Sequence, residues 1–274
     1  MKKLLLSLLA LTLAVAANAQ FKDLQLDKDM KWSARAGFSF NSTTIGLDAS
    51  SVKIKPGGTV GFYIGAVNNM TLSDKLGLQT ELIFRTSGMK VSAEEDTTTS
   101  LDYGSSFDAS IPNGDYIPGK QKVSYHTNMF DISILFKSNT AEKINLLAGP
   151  TLSFRLGSSV KFNKGIEEVA ENTGMGSAFL DEVSEIANEV ANEAVKAFNI
   201  GLALGAEYQI TDQIFVDARY NIGLVNLMKN KIDMSKIKID GQSMWHGEIN
   251  IKDTAGVVPT IKARYFQIGV GYRF

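Results

Sequence analysis

Nine charged side chains stand at alternating positions within otherwise apolar or small-residue segments of this 274-residue chain: Arg35, Glu81, Arg85, Asp131, Arg155, Glu207, Asp217, Arg219 and Arg273. Five are cations and four are anions. On the inner wall of a narrow tube such groups must pair, because an uncompensated buried charge is very costly. The expectation is a lumenal salt-bridge plug that shares its face with Tyr63, Tyr265 and Gln267. In an open tube the same residues would instead line a polar pathway for a small ion. Arg35, Glu81, Asp131, Glu207, Asp217 and Arg219 are expected near mid-height or toward the short-turn end.

Other chemistry is thinly supplied. Hydrolysis needs a nucleophile or activated water with a base, often a His held by a carboxylate. Two histidines are present: His126, whose position in its strand points it toward lipid, and His246 in the segment SMWHGE. Neither has a partner at a recognisable spacing, and no G-x-S-x-G or H-E-x-x-H occurs. The acidic stretch SAEEDTTTSLDYGSSFDASIPNGDY carries Glu94, Glu95, Asp96, Asp102, Asp108 and Asp115. It lacks the ligand spacing and glycine of an EF-hand, so it reads as a solvated loop. No catalytic residue, cofactor or metal site is expected.

The elements that would position the charges follow from period-two alternation. Eight predicted strands cover roughly 31–40, 58–67, 76–88, 123–137, 143–157, 197–209, 213–226 and 263–274. In the seventh, Ile214, Val216, Ala218, Tyr220, Ile222 and Leu224 share one face, opposite Phe215, Asp217, Arg219, Asn221 and Gly223. The connections alternate in length. Short ones (NNMTLSDK, SNTAEK and about ITDQ) separate strands two and three, four and five, and six and seven. Segments of roughly 17, 34, 39 and 36 residues fill the other gaps. A soluble sandwich has no reason to keep every long loop at one end, whereas a transmembrane barrel does.

Aromatic residues sort by height under the same parity. Trp32, Phe136, Tyr208, Tyr272 and Phe274 fall at the turn end of the apolar face, and Phe40, Phe62, Phe84, Phe154, Phe198 and Phe266 toward the loop end. Two rings are the pattern of interfacial girdles. The fold class is therefore all-β: an eight-stranded antiparallel up-and-down transmembrane β-barrel with long extracellular loops, one carrying an amphipathic helix. That helix lies within an insertion at about 166–197, where Phe179, Val183, Ile186, Val190 and Ala194 recur at helical spacing against Asp181, Glu182, Glu185, Glu189 and Glu193. Gly174 and Gly176 precede it, and Ser177 is expected to cap it. Its apolar stripe needs a surface, either the barrel mouth and neighbouring loops or a partner protein.

The opening MKKLLLSLLALTLAVAANAQ has a basic start, a short apolar run and a small-residue cleavage motif, so 1–19 read as a signal peptide cut between Ala19 and Gln20. The run is too short to span a membrane. Removing it leaves 26 basic and 29 acidic groups, a formal charge of −3. Nothing points to nucleic acid. No cysteine is present, which excludes a disulfide framework. Residues 20–274 form one barrel domain in this reading.

The stretches MFDISILFK, LLAGPTLSFRL, FNIGLALGAEYQI, IFVDARYNIGL and the terminal IGVGYRF resemble the PorT-like outer-membrane barrels of Bacteroidota. The resemblance implies an eight-stranded barrel in a bacterial outer membrane and, for the member that names the family, a link to protein secretion. It carries over no catalytic residue. The reading reached is a non-enzymatic barrel with both termini periplasmic, structural or accessory to an envelope or secretion complex through its loops. A small-ligand or ion transporter is the main alternative, and an outer-membrane enzyme the third. The expected partners are outer-membrane lipid, the barrel-assembly machinery and an envelope or secretion-complex protein. Phe266, Tyr272 and Phe274, outward on a strand that must close the barrel, are the expected assembly signal.

Overall fold

A chain whose strands are apolar on one face and polar on the other can bury either face, depending on the solvent. Here the polar face is inside. The computed structural model describes residues 31–46, 53–94, 121–162, 176–239, 242–243, 245–251 and 260–274. The expected signal segment with Ala19 and Gln20, the acidic groups from Glu95 to Asp115, and Gly174 lie outside the described residues.

Eight strands, β1 (Lys31–Gly46), β2 (Thr59–Thr71), β3 (Leu76–Glu94), β4 (Gln121–Ala141), β5 (Ile144–Phe162), β6 (Phe198–Gln209), β7 (Ile214–Gly223) and β8 (Thr260–Arg273), pair antiparallel, each with the next. β8 returns to β1 in register from Ser33↔Arg273 to Gly46↔Thr260, which closes the barrel. Closure leaves the barrel wall without a free edge along its paired span, as a lipid-embedded sheet requires. Three tight connections, 72–75, 142–143 and 210–213, lie at one end with Lys31 and Phe274. In the last, Thr211 Oγ1 accepts from the N–H of Gln213 (3.3 Å) and of Ile214 (3.0 Å), the local bonding that favours Thr in turns. All long connections leave from the other end.

The outer surface carries Phe38 at 60% exposure, Val60 at 67%, Phe62 at 53% and Val270 at 54%, within a continuous apolar band. In water that band would be an aggregation surface; facing acyl chains it is the favourable side. Trp32, Phe136, Tyr208, Tyr272 and Phe274 are exposed at the turn end, and Phe40, Phe62, Phe198 and Phe266 nearer the loops. Phe40 and Phe266 meet across the β1–β8 seam with ring centroids 6.4 Å apart. Buried apolar residues are few in the barrel wall; Leu135, Leu147 and Ala203 make one small cluster.

Several strands run farther toward the loops than the alternation predicts. β3, β4 and β5 extend to Glu94, back to Gln121 and on to Phe162, and a short strand at Lys53–Gly57 pairs with Lys90–Glu94 of β3. The period-two signal in β5 stops at a bulge. Asn128 pairs with Gly157 and Met129 with Arg155, so Leu156 is skipped. A bulge reverses side-chain parity, so Ser158 and Val160 beyond it share the inner face with Arg155. Helix α1 spans Gly176–Ala194. Ser177 therefore sits inside its first turn and is not the residue before the helix, which corrects the expected cap. No described helix is long and apolar enough to cross a membrane.

Candidate functional site: an ion-paired lumen beneath a helix

The inward charges meet across the lumen in successive groups. Nearest the turns, Glu207 Oε1 of β6 accepts from Lys137 Nζ of β4 (2.8 Å), from Asn145 Nδ2 (3.2 Å) and from Arg273 of β8. Next, Arg35 of β1 binds Glu81 of β3 (3.1 Å) and Asp217 of β7 (2.8 Å). Arg219 of β7 pairs with the same Glu81 and, at 3.0 Å, the same Asp217, so two cations and two anions form a closed square. Gln79 Nε2 donates to Glu81 Oε1 at 2.6 Å. Higher still, Arg85 Nε and Nη2 hold Asp131 at 2.8 and 3.3 Å, and Nη1 reaches Asn41 Oδ1 at 3.4 Å. Arg35, Arg85, Asp131, Asp217 and Arg219 are all at most 3% exposed.

Two tyrosines repeat one arrangement. Tyr63 donates to Asp217 (3.4 Å) while Arg35 lies 4.6 Å over its ring; Tyr265 donates to Asp131 (3.2 Å) while Arg85 lies 3.8 Å over its ring. Each guanidinium is thus held by a carboxylate and a ring face, the planar stacking that Arg provides and Lys does not. Room for this comes from glycines of the closing strand. A Cβ on Gly269 would sit 2.0 Å from the Tyr63 hydroxyl, and one on Gly271 2.0 Å from Phe215 Cζ. The alternate glycines of IGVGYRF are therefore the sockets of two inward rings.

Arg155 behaves differently from the other network members. It meets no carboxylate among the described residues. Its Nη1 donates to Tyr125 Oη (2.8 Å) and Asn192 Oδ1 (3.3 Å), and its Nη2 to the carbonyls of Asn192 (2.7 Å) and Val195 (3.1 Å). It is a cation at the C-terminus of α1, where the helix dipole and the unpaired carbonyls favour positive charge. The expected pairing of Arg155 with a lumenal acid is therefore corrected: it stands at the loop-end mouth, just before the bulge at Leu156, against the C-terminus of the helix.

α1 roofs that mouth. β5 continues to Phe162 whereas β6 begins at Phe198, so among the described residues the outer arm of β5 has no strand partner on that side. Asn188 and Asn192, one helical turn apart, fill the gap: Asn188 Oδ1 accepts from the Val160 N–H, and Asn192 Oδ1 from the Ser158 hydroxyl. Covering a free edge in this way is how sheets avoid unwanted pairing. Beyond the helix, Ala194 O accepts from Lys229 N (2.8 Å), and Glu193 pairs with Lys229 Nζ (3.0 Å). Ala194, Ile237 and Ile251 are buried in this cap. Of the apolar stripe, Ala194 is buried here, whereas Val183, Ile186 and Val190 are half-buried.

Lys137 joins the network although it is not among the nine charges above; the parity of Asp131, Ser133 and Leu135 already places it inward. His126 and His246 are both exposed. No group of three His, Asp or Glu among the described residues is placed to hold a metal.

An apolar outside wrapped round an ion-paired inside defines a transmembrane β-barrel. The chain belongs to the outer membrane protein beta-barrel domain family, which matches residues 18–229. Among solved structures it is similar to the outer membrane protein OprG from Pseudomonas aeruginosa (13% identity, 92% of this chain and 99% of that one, TM-score 0.41). It is also similar to Neisserial surface protein A (12% identity, 89% and 97% covered, TM-score 0.37) and to the outer membrane protease OmpT from Escherichia coli (11% identity, 93% and 100% covered, TM-score 0.39). No curated protein sequence matches this chain.

Proposed function

We propose that this is a non-enzymatic outer-membrane barrel of the PorT-like type, exported by the signal peptide 1–19, with both termini and the short turns in the periplasm. It serves as a structural member of, or accessory to, an envelope or protein-secretion complex, and its long extracellular loops and roofed mouth make the contacts. One observation carries this reading: ion pairs cross the lumen at successive heights and fill it, and α1 packs on Arg155 and the outer arm of β5 at the loop end, leaving the loop-end surface as the working face. A barrel of eight strands encloses little more than its own side chains, so the charges serve as filling. Phe266, Tyr272 and Phe274 lie outward beside the closing seam, and the Phe274 N–H donates to Trp32 O at 3.0 Å. This supports their role as the signal read by the assembly machinery; deleting Phe274 should slow insertion.

Two measurements test the function. Planar-bilayer recording of the folded protein should show no stable large open state, and a sustained large conductance would turn the assignment to transport. Crosslinking and affinity capture from intact outer membranes should return a reproducible envelope or secretion-machinery protein. Co-purified small molecules without such a partner would favour the transporter.

A further inference from the structure

The lumenal charges do not balance uniformly along the barrel axis. Arg35, Arg219, Glu81 and Asp217 sum to zero, as do Arg85 and Asp131. Among the described lumenal residues, the two ends each keep one excess cation. At the loop end that cation is Arg155, and helix carbonyls satisfy it. At the turn end Lys137 and Arg273 share the single carboxylate of Glu207, and the excess charge faces a cavity of about 580 Å³.

We infer that this turn-end vestibule binds a small anionic solute through a carboxylate or phosphate group. The cavity volume falls within the range of small-molecule sites. Lys137 and Arg273 line it beside Asn69, Asn145 and Gln209, and Lys31 adds a further cation at the rim against Glu142. The floor is built and not merely exposed. Glu207 is 1% exposed, and the Lys137 and Arg273 side chains that cover it are 12% and 17% exposed. Three donors converge on its Oε1, and the Arg273 guanidinium is steadied over the Phe215 ring at 5.1 Å. The hydrogen bond to Glu207 uses one of the five guanidinium N–H groups of Arg273, leaving a planar fork that matches carboxylate and phosphate oxygens. Low-dielectric barrel walls concentrate the field of the excess charge in the vestibule. The solute would enter from the periplasm if the orientation proposed above holds; the binding chemistry does not depend on it.

The test is calorimetric titration of inorganic phosphate into the folded full chain in detergent micelles, against sodium chloride of matched ionic strength. The expected result is one saturable site for phosphate that chloride does not abolish. Lys137→Gln leaves Glu207 paired with Arg273 and should weaken binding about tenfold, and the rim change Lys31→Gln about threefold, the fold-changes of a half-buried and an exposed charge contact. Glu207→Gln removes the internal counter-charge and should tighten binding, a direction that damage to the fold would not produce. Heat-modifiable migration reports that each variant is folded. Absence of saturation, full competition by chloride, or folded Lys137→Gln and Glu207→Gln proteins with unchanged affinity would overturn the site. None of these outcomes bears on whether the loops recruit a partner.

Discussion

The two ends of the lumen dispose of the same excess charge in opposite ways. At the loop end Arg155 stands inward just before the bulge at Leu156, and the carbonyls of Asn192 and Val195 absorb its hydrogen bonds. At the turn end Lys137 and Arg273 crowd one carboxylate over an open vestibule. Between them the square of Arg35, Glu81, Arg219 and Asp217 is neutral and closed on itself. The difference teaches that the barrel interior is a neutral septum between an end whose excess charge a helix satisfies and an end whose excess charge is open to a solute. Its stability should be concentrated in the septum and its chemistry in the ends.

The largest effect should come from breaking the septum. Glu81→Gln leaves Arg35 and Arg219 with only Asp217 between them. Removing one partner of a buried pair costs about 3–5 kcal/mol, because the remaining charge is stranded. Urea unfolding in lipid vesicles should show this loss, and combining Glu81→Gln with Arg219→Gln should recover part of it. Equal effects of Glu81→Gln and of a change at exposed Glu142 would remove the contrast between septum and rim.

A smaller effect is expected where the septum meets the seam. Gly271→Ala drives a methyl into Phe215, on whose ring Arg273 rests. Overpacking of this kind costs about 1–3 kcal/mol, measurable by the same unfolding. The substitution should also disturb the vestibule more than the roof, because the displaced ring supports Arg273 and is remote from Arg155.

Arg155→Ala tests the loop end. The lost charge-assisted bonds to the Asn192 and Val195 carbonyls are worth about 1.5–3 kcal/mol each at most, and the loss should be local. Hydrogen exchange of α1 amides should speed up while β1, β7 and β8 keep their protection. Unaltered exchange in α1 would mean that Asn188, Asn192 and the Glu193–Lys229 pair hold the roof without the guanidinium.

Alternation alone made most of this arrangement legible. Parity separates Asp217 and Arg219 from Val216 and Ala218, and in the closed barrel that places both charges inward. It also marks Phe274 and Tyr272 as outward, and both are. Parity could not follow β5 past Leu156, because a bulge adds one residue without changing composition. It could not foresee that β5 would outrun β6, so the task of Asn188 and Asn192 stayed hidden within an apparently ordinary polar face. Partner choice was beyond it too: strand order brings Glu81 of β3 to Arg219 of β7 across the lumen, 138 positions apart in sequence. Lys137 is the exception, since Asp131, Ser133 and Leu135 already define its side. A lysine that ends its predicted strand, directly before the turn, reads as a rim residue until Glu207 is seen to draw it in.

The smallest effect should appear in the cap, outside the membrane-spanning wall. Asp233 caps the 3-10 turn Met234–Lys236, accepting from Ser235 N at 3.1 Å and pairing with Lys236 Nζ at 3.0 Å. The hydrogen bonds from Ser235 and Lys236 hold its carboxyl below the ordinary aspartate value. A depressed pKa means that the turn's contribution is complete above the unfolded-state value and is lost as pH falls through the folded one. The turn should therefore stay ordered at neutral pH and loosen only under acid conditions below the usual carboxylate range. Asp233→Asn should keep the capping geometry and remove this acid sensitivity. Amide exchange of Ser235 and Ile237 followed between neutral and acid pH reads the change directly. Because Lys236 also stands 3.9 Å from Glu193 of α1, a turn that loosens while α1 stays protected would assign the roof to Arg155 and the two asparagines. Parallel loosening of both would make the turn part of the latch.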